Sequence, residues 1–329
     1  MKSIIVTGTG SAESFQTVET PTPLPEEKQV LIDLKATGLN WSEVMIRRGD
    51  WAVSLDEGMV LGAEGAGIVE GVGGSVLSTR PGDRVAVFDI DSYLQAGQGT
   101  YASHILVDES KVLKIPAHLD FAQAASLPMA LLTAYDAMVC HSPLPETGNI
   151  VVTACTGAVG IAAMQLARMK GLRVVGTTRD ENKVDQVRAL GCEVVVGKDP
   201  KEICEKVSSC LGDEGVNYVF DPVQGPLAES LLELMAMDGT YVVYGNLMGS
   251  GFSLSPTFLF QQTRVHGYVV LKNLADPEAM QEVWSEIYPL IEEKLIEVPV
   301  AKTIPFPDAG AAQATMEAHQ HFGKIVMIQ

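Results

Sequence analysis

Ile150-Val151-Val152-Thr153-Ala154-Cys155-Thr156-Gly157-Ala158-Val159-Gly160 is the stretch on which the fold turns. A short apolar, β-branched run stops at a turn containing glycine, and small residues follow. That is a buried strand, a tight turn and the start of a helix, which the pattern carries over 158–170. The alternation continues outward: strands are expected at 173–177, 193–196, 216–220, 240–244 and 265–270, with helices at 181–190, 201–211, 226–237 and 256–262. Strands separated by crossover helices make a doubly wound parallel sheet of the α/β class.

Before residue 121 the pattern is different. Residues 1–7, 30–36 and 84–88 read as strands, and a glycine-rich stretch over 62–74 surrounds Ile68-Val69. Pro21, Pro23 and Pro25 stiffen a connector, and Pro81-Gly82-Asp83 is turn chemistry. Short strands joined by turns predict a compact antiparallel, barrel-like domain. The chain closes with a helix over 277–293, an alanine-rich helix over 308–319 and a strand over 324–328, expected to return to that first domain. The expected organisation is therefore a β-rich domain of residues 1–122 completed by 272–329, with a dinucleotide-binding domain of 123–271 between.

Composition sets outer limits. With 329 residues the chain exceeds the size at which one core usually splits in two. Hydrophobic residues make up 47% and charged residues 19%, enough apolar material for packed cores. A net charge of −18 makes nucleic acid and anionic membranes poor partners, because phosphate contacts need Lys and Arg. No apolar run is long enough to span a bilayer, and the first residues lack a secretory pattern. Cys140, Cys155, Cys192, Cys204 and Cys210 are odd in number and lack metal-knuckle spacing, which fits a reducing cytoplasm.

The turn after the first parallel strand suits a phosphate. Gly157 lets backbone approach a pyrophosphate and Gly160 lets the helix pack close on the sheet. The helix start, Thr156 to Gly160 with Ala158 and Val159 inside it, offers N–H groups and a partial positive charge. Cys155 replaces the first glycine of the usual fingerprint, and at a helix N-terminus a thiolate is favoured, so a redox role stands beside that of a small core residue. The end of the second strand reads the ribose. An acid there would bind a 2′-hydroxyl, but the residues are Thr177-Thr178-Arg179, with Lys183 one turn later. Hydroxyls with Arg and Lys suit a 2′-phosphate, hence NADPH. Asp180 and Glu181 are expected to cap and charge the next helix; the plainer alternative for Arg179 and Lys183 is a solvated surface pair.

Four further stretches carry a resemblance. They are Gly38-Leu39-Asn40-Trp41-Ser42-Glu43 with Arg47-Arg48-Gly49, Leu61-Gly62-Ala63-Glu64-Gly65-Ala66-Gly67-Ile68-Val69, Gly82-Asp83-Arg84-Val85, and Ala124-Ala125-Ser126-Leu127-Pro128 with Thr133-Ala134-Tyr135. With Ala154, Gly157, Gly160 and Phe220-Asp221-Pro222-Val223, their order resembles the medium-chain dehydrogenase/reductase superfamily, and within it the zinc-free quinone oxidoreductases. The resemblance implies a GroES-like N-terminal domain, joined by the tail, with a Rossmann domain inserted and the cofactor in the cleft between. Zinc enzymes of the superfamily carry Cys where Asn40 stands and His where Ala63 stands, so no metal is expected, and Glu64 is left a structural hydrogen-bonding role. His319 and His321 make a tempting pair without a third ligand nearby in sequence.

Without a Lewis acid the implied acceptor is one that already takes hydride, a quinone or an α,β-unsaturated carbonyl. The resemblance places Asn40 near nicotinamide and substrate, Thr133 on the other side, and Gly245, Asn246, Val269 and Val270 along the nicotinamide half. Asn40 could equally cap the helix over 42–48. Trp51 stands where related enoyl reductases have a Tyr; it could be an aromatic shelf or simple core, and indole is no acid. Tyr93, Tyr101 and Tyr135, or water, are left as proton donors. Pairing through the last Rossmann strand, near residues 265–270, implies a homodimer. Two rival functions stay open: a double-bond reductase of enoyl thioesters or lipid enones, and a non-catalytic NADPH-binding sensor or structural protein.

Overall fold

The structure, a computed structural model, describes residues 1–50, 56–212, 214–270 and 276–329. Trp51 lies outside the described residues. The chain forms two units, Met1–Leu132 with Leu271–Gln329, and Thr133–Val270.

The N-terminal elements are β1 Lys2–Val6, β2 Phe15–Glu19, β3 Gln29–Gly38, α1 Trp41–Arg48, β4 Glu64–Val72, β5 Arg84–Phe88, α2 Asp91–Ala96, β6 His104–Asp108, β7 Val112–Lys114, α3 Phe121–Ala125 and α4 Pro128–Tyr135. Then follow β8 Asn149–Val152, α5 Ala158–Met169, β9 Arg173–Thr178, α6 Val184–Ala189, β10 Glu193–Val196, α7 Pro200–Leu211, β11 Val216–Asp221, α8 Gly225–Leu232, β12 Met235–Val243, α9 Thr257–Gln261 and β13 Arg264–Gly267. The tail holds α10 Pro277–Glu292, β14 Val300–Pro305, α11 Ala309–Glu317 and β15 Lys324–Ile328.

In the first unit β1 and β2 pair as a hairpin. A seven-stranded sheet runs β14-β15-β3-β4-β5-β7, with β6 also on β3. Alternation in β3 sends Val30, Ile32 and Leu34 into a core with Val69, Val85, Val87, Ile105 and Val107. The expected antiparallel pattern holds except at β14 and β15, which are parallel. A parallel pair needs a crossover, and α11 supplies it. The tail does return: β15 pairs with β3, Val326 opposite Gly38.

The second unit is a six-stranded parallel sheet in the order β10-β9-β8-β11-β12-β13, with the first strand of the unit near the centre. Val151, Val175, Val195 and Val219 of the sheet pack with Ile203 and Val207 of α7 and Leu227 and Leu231 of α8. Two expectations are corrected. The helix expected over 226–237 stops at Leu232, because Met235 already pairs with Val216 as the start of β12. Its apolar spacing serves either element, and the chain turns at Asp238, in the left-handed region with φ 58. The strand expected over 265–270 ends at Gly267, where its partner β12 ends at Val243; the Tyr268 N–H closes the ladder on the Val243 carbonyl, and Val269 and Val270 lie beyond it.

Candidate functional site

In the second unit β8 delivers the chain to a turn that α5 leaves. Ala154 takes a left-handed φ of 46, which lets the turn reverse without a glycine there. A Cβ on Gly160 would lie 2.8 Å from Cys155 Cα and 2.9 Å from the Ala154 carbonyl oxygen, so this position needs glycine for close helix–strand contact. A Cβ on Gly157 would meet only the Ala154 oxygen, at 3.6 Å, so this glycine faces open space. No side chain caps α5, and its first internal bond runs from the Ile161 N–H to the Gly157 carbonyl. Among the described residues the N–H groups of Ala158, Val159 and Gly160 have no protein acceptor, a ready anion site.

The thiolate expectation for Cys155 is corrected. The thiol is buried against Gly176, whose added Cβ would sit 2.7 Å from Sγ, and burial pushes its pKa up to about 12. Desolvation outweighs the helix terminus here, and Cys155 is a core residue. All five cysteines are free.

At the end of β9, Thr178 is buried, Arg179 is exposed, and Asp180 accepts from the Asn182 N–H at 3.0 Å, the cap expected of it. Lys183 is not the solvated surface cation of the plainer alternative. Its ammonium is buried, 3.7 Å from Asp180, and burial lowers its pKa despite that pairing. A shallow pocket of about 460 Å³ lies beside these residues, lined by Arg179, Asp180, Glu181, Lys198, Glu202 and Lys206. Lys198 escapes the sequence reading; it follows β10, the strand next to β9, so sheet order is the signal that finds it.

The carboxyl end of β11, the strand beside β8, is held by one carboxylate. Asp221, fully buried, accepts from the N–H groups of Val223 (2.8 Å) and Gln224 (3.0 Å), from Tyr241 Oη (2.9 Å) and from Thr153 Oγ1. Gln224 Nε2 donates to the Gly245 carbonyl at 2.6 Å, and the Leu247 N–H to the Pro222 carbonyl at 2.8 Å. The turn so fixed buries Asn246 Oδ1 with no hydrogen-bond partner among the described residues. A buried carbonyl oxygen without a donor is costly. A carboxamide or hydroxyl donor from a bound cofactor would satisfy it. Thr133 is buried on α4.

In the first unit Asn40 holds the N-cap position of α1, with extended backbone, and Glu43 reaches back to its N–H at 3.0 Å. Its side chain turns into a buried polar cluster. Asn40 Nδ2 donates to Glu64 Oε1 at 2.9 Å and to Glu43 Oε1 at 3.3 Å, and Asn40 Oδ1 accepts from Lys324 Nζ at 2.6 Å. Lys324 also forms an ion pair with Glu64; the two side chains are 4% and 0% exposed. Glu64 accepts from the Met129 N–H (2.8 Å), the hydrogen-bonding role expected of it, and Glu43 from Tyr101 Oη (2.9 Å) and the Ala63 N–H (3.2 Å). Gln313 extends the chain from Tyr101 (3.3 Å) to the Arg47 Nε (2.6 Å), and Arg47 ends on Glu317.

Burial, with Glu64 nearby, pushes the Glu43 carboxyl up to about 7, against the pull of the Asn40 N–H, Tyr101 and Lys324. Tyr101 is committed to Glu43 and wholly buried. His319 stacks near Trp41, ring centres 5.0 Å apart, and among the described residues no group of three or more His, Cys, Asp or Glu could hold a metal. Glu43 and Lys324 also escape the sequence reading. The signal for Lys324 is a lone charge opening the apolar strand Lys324-Ile325-Val326-Met327-Ile328.

Comparison with known proteins follows these two units. Residues 26–117 match the alcohol dehydrogenase GroES-like domain, and residues 158–289 the family described as zinc-binding dehydrogenase. Quinone oxidoreductase 1 of Escherichia coli is 28% identical over 331 residues, covering 97% of both chains. A highly reducing polyketide synthase, Dhc3 of Alternaria cinerariae, is 30% identical across 92% of this chain, which spans only 12% of that protein. The crystal structure of the Escherichia coli quinone oxidoreductase complexed with NADPH superposes over the whole of both chains with a TM-score of 0.88 at 27% identity.

Proposed function

The chain belongs to the medium-chain dehydrogenase/reductase superfamily as a quinone oxidoreductase-like member, and from this we propose an NADPH-dependent oxidoreductase that passes hydride to a quinone or an α,β-unsaturated carbonyl without zinc. The observation that carries the reading is the uncapped start of α5, with free N–H groups behind Gly157 and no acid at Thr178. NADPH, when bound, supplies the hydride.

This chain's residues do the rest. Thr156 and the N–H groups of Ala158, Val159 and Gly160 hold the pyrophosphate. Arg179, Thr178 and Lys198 read the 2′-phosphate, and Lys183 braces their loop from beneath through Asp180. The buried oxygen of Asn246, in its turn after Gly245, takes a donor from the nicotinamide carboxamide. On the family resemblance, Thr133, Val269 and Val270 would hold the nicotinamide half and Asn40 would meet the acceptor. The Lys324 ammonium pairs with Asn40 and with Glu64, the residue after Ala63, and this resident cation supports the metal-free reading.

Steady-state oxidation of NADPH against a panel of quinones, simple enones and enoyl thioesters tests this. Turnover with quinones or simple enones is expected; no turnover with any acceptor, alongside tight NADPH binding, would leave the sensor reading. An enoyl-thioester acceptor is the second reading, favoured by the match to a polyketide synthase segment. Elemental analysis should find no stoichiometric zinc.

We infer a homodimer paired through the edge of the second sheet. Among the described residues β13 is an edge strand, and Leu259 and Phe260 of adjoining α9 are 70% and 78% exposed. An apolar edge calls for cover, and a second copy of the same edge provides it. Light scattering at micromolar concentration should give twice the chain mass.

A further inference from the structure

We propose that Lys324 is the positioning residue of the Asn40 site: its ammonium pins the carboxamide so that Asn40 offers a bound molecule one acceptor and no donor. The proposal rests on the reading of Asn40 as a residue beside the reacting groups.

A carboxamide has two N–H donors and two acceptor lone pairs. Both hydrogens of Asn40 Nδ2 are taken, by Glu64 Oε1 at 2.9 Å and Glu43 Oε1 at 3.3 Å. One lone pair of Oδ1 is taken by Lys324 Nζ at 2.6 Å. One lone pair is left. The orientation is chemically forced: an ammonium can only donate, so Oδ1 faces it, and the Glu64 carboxylate paired with that ammonium can only accept, so Nδ2 faces Glu64. Glu64 is itself fixed by the ammonium and by the Met129 N–H.

The positive charge therefore acts at one remove. Asn40 cannot donate to a substrate carbonyl oxygen; it accepts from a hydroxyl or an amide N–H, and Lys324 decides that polarity. Substrate carbonyl activation has to come from another group.

The test uses NADPH and 1,4-naphthoquinone with Asn40→Ala, Lys324→Met, Lys324→Arg and the double variant Asn40→Ala/Lys324→Met. Asn40→Ala and Lys324→Met are each expected to lower kcat about tenfold, Lys324→Arg to keep it within about threefold, and the double variant to be no worse than Asn40→Ala alone. Losses that multiply in the double variant overturn the proposal. So does an active enzyme indifferent to Asn40→Ala, or a Lys324→Met protein that loses only thermal stability.

If Lys324→Met fails to fold for want of a partner to Glu64, Glu64→Gln/Lys324→Met removes both charges and carries the same comparison. One readout needs no turnover. The Asn40 side-chain amide protons, followed by NMR, should exchange slowly in the wild type and quickly once Lys324 is Met. Unchanged exchange overturns the clamp even in an active enzyme. Loss of protection with no turnover by the wild type supports the clamp and defeats the oxidoreductase reading.

Discussion

The phosphate turn and the Asn40 cluster are built on opposite principles. The turn is made of backbone: its donors are N–H groups of Ala158, Val159 and Gly160, its specificity an empty volume over Gly157, and its polar groups are uncommitted. The cluster is made of side chains, and nearly every donor and acceptor in it already has a partner inside the protein. The first leaves its donors open. The second is a finished interior that can only shape what lies against it.

The sharpest way to break this contrast is the same substitution at two glycines three residues apart. Gly160→Ala forces a methyl to 2.8 Å from the Cys155 Cα and should push α5 off the sheet. A loss of about 1–3 kcal/mol of stability and at least about tenfold in NADPH affinity is expected, by unfolding titration and fluorescence binding. Gly157→Ala meets no such wall. It should leave stability within about 0.5 kcal/mol while weakening NADPH, because its methyl enters the ligand's space and not the protein's.

The next test concerns the cluster's own charge. Folding raises the Glu43 carboxyl from 4.5 to about 7, so the native state holds this proton more tightly than the unfolded chain. The associated stability is fully present below pH 4.5 and is lost as pH rises toward 7. It is on the order of 3 kcal/mol, at about 1.4 kcal/mol per unit. Glu43→Gln, which cannot ionise, should flatten that slope in urea titrations across the window. An equally steep slope in the variant would mean that another group carries it.

Cofactor choice comes third. Arg179→Ala and Lys198→Ala should each raise the NADPH dissociation constant about tenfold or more and leave that of NADH nearly unchanged. Lys183→Ala should instead weaken both cofactors and lower stability, since its ammonium is buried under the loop. Equal wild-type affinity for the two cofactors would defeat the 2′-phosphate reading. The smallest effect is expected at Ala154. Ala154→Gly relieves a left-handed alanine but frees the unfolded chain, for a net gain of about 0.5–1 kcal/mol in thermal unfolding.

The same contrast governs what could be read from the sequence. The parallel strand 193–196 and the terminal strand 324–328 are bounded in the structure as the apolar pattern has them, and so is 84–88. The turn between β8 and α5 is legible because strand, turn and helix start are contiguous, and local chemistry dictates all of them. The end of α8 is not, because the side-chain spacing of residues 231–237 suits a helix or a strand and only the pairing with β11 decides. The Asn40 cluster is half legible. Asn40, Glu43 and Glu64 lie in recognisable motifs, but the cation that orients them is 284 residues away from Asn40 and belongs to no motif. Lys183 shows the reverse case: the sequence puts it one turn after Arg179, while its direction, inward onto Asp180, is set by packing.

The partnership of β15 with β3 has a consequence for how the molecule comes into being. A ribosome releases β3, Asn40, Glu43 and Glu64 first, and Lys324 only after the whole second unit has emerged. Until then the strand segment Ala36–Gly38 has no neighbour on one side, and two carboxyl groups destined for the interior have no counter-ion. The second unit, contiguous in sequence, can fold while it waits. The first cannot close until its closing strand is free, so the growing chain passes through a stage with an open sheet edge. In that stage a chaperone, or a second nascent chain, competes with β15 for β3.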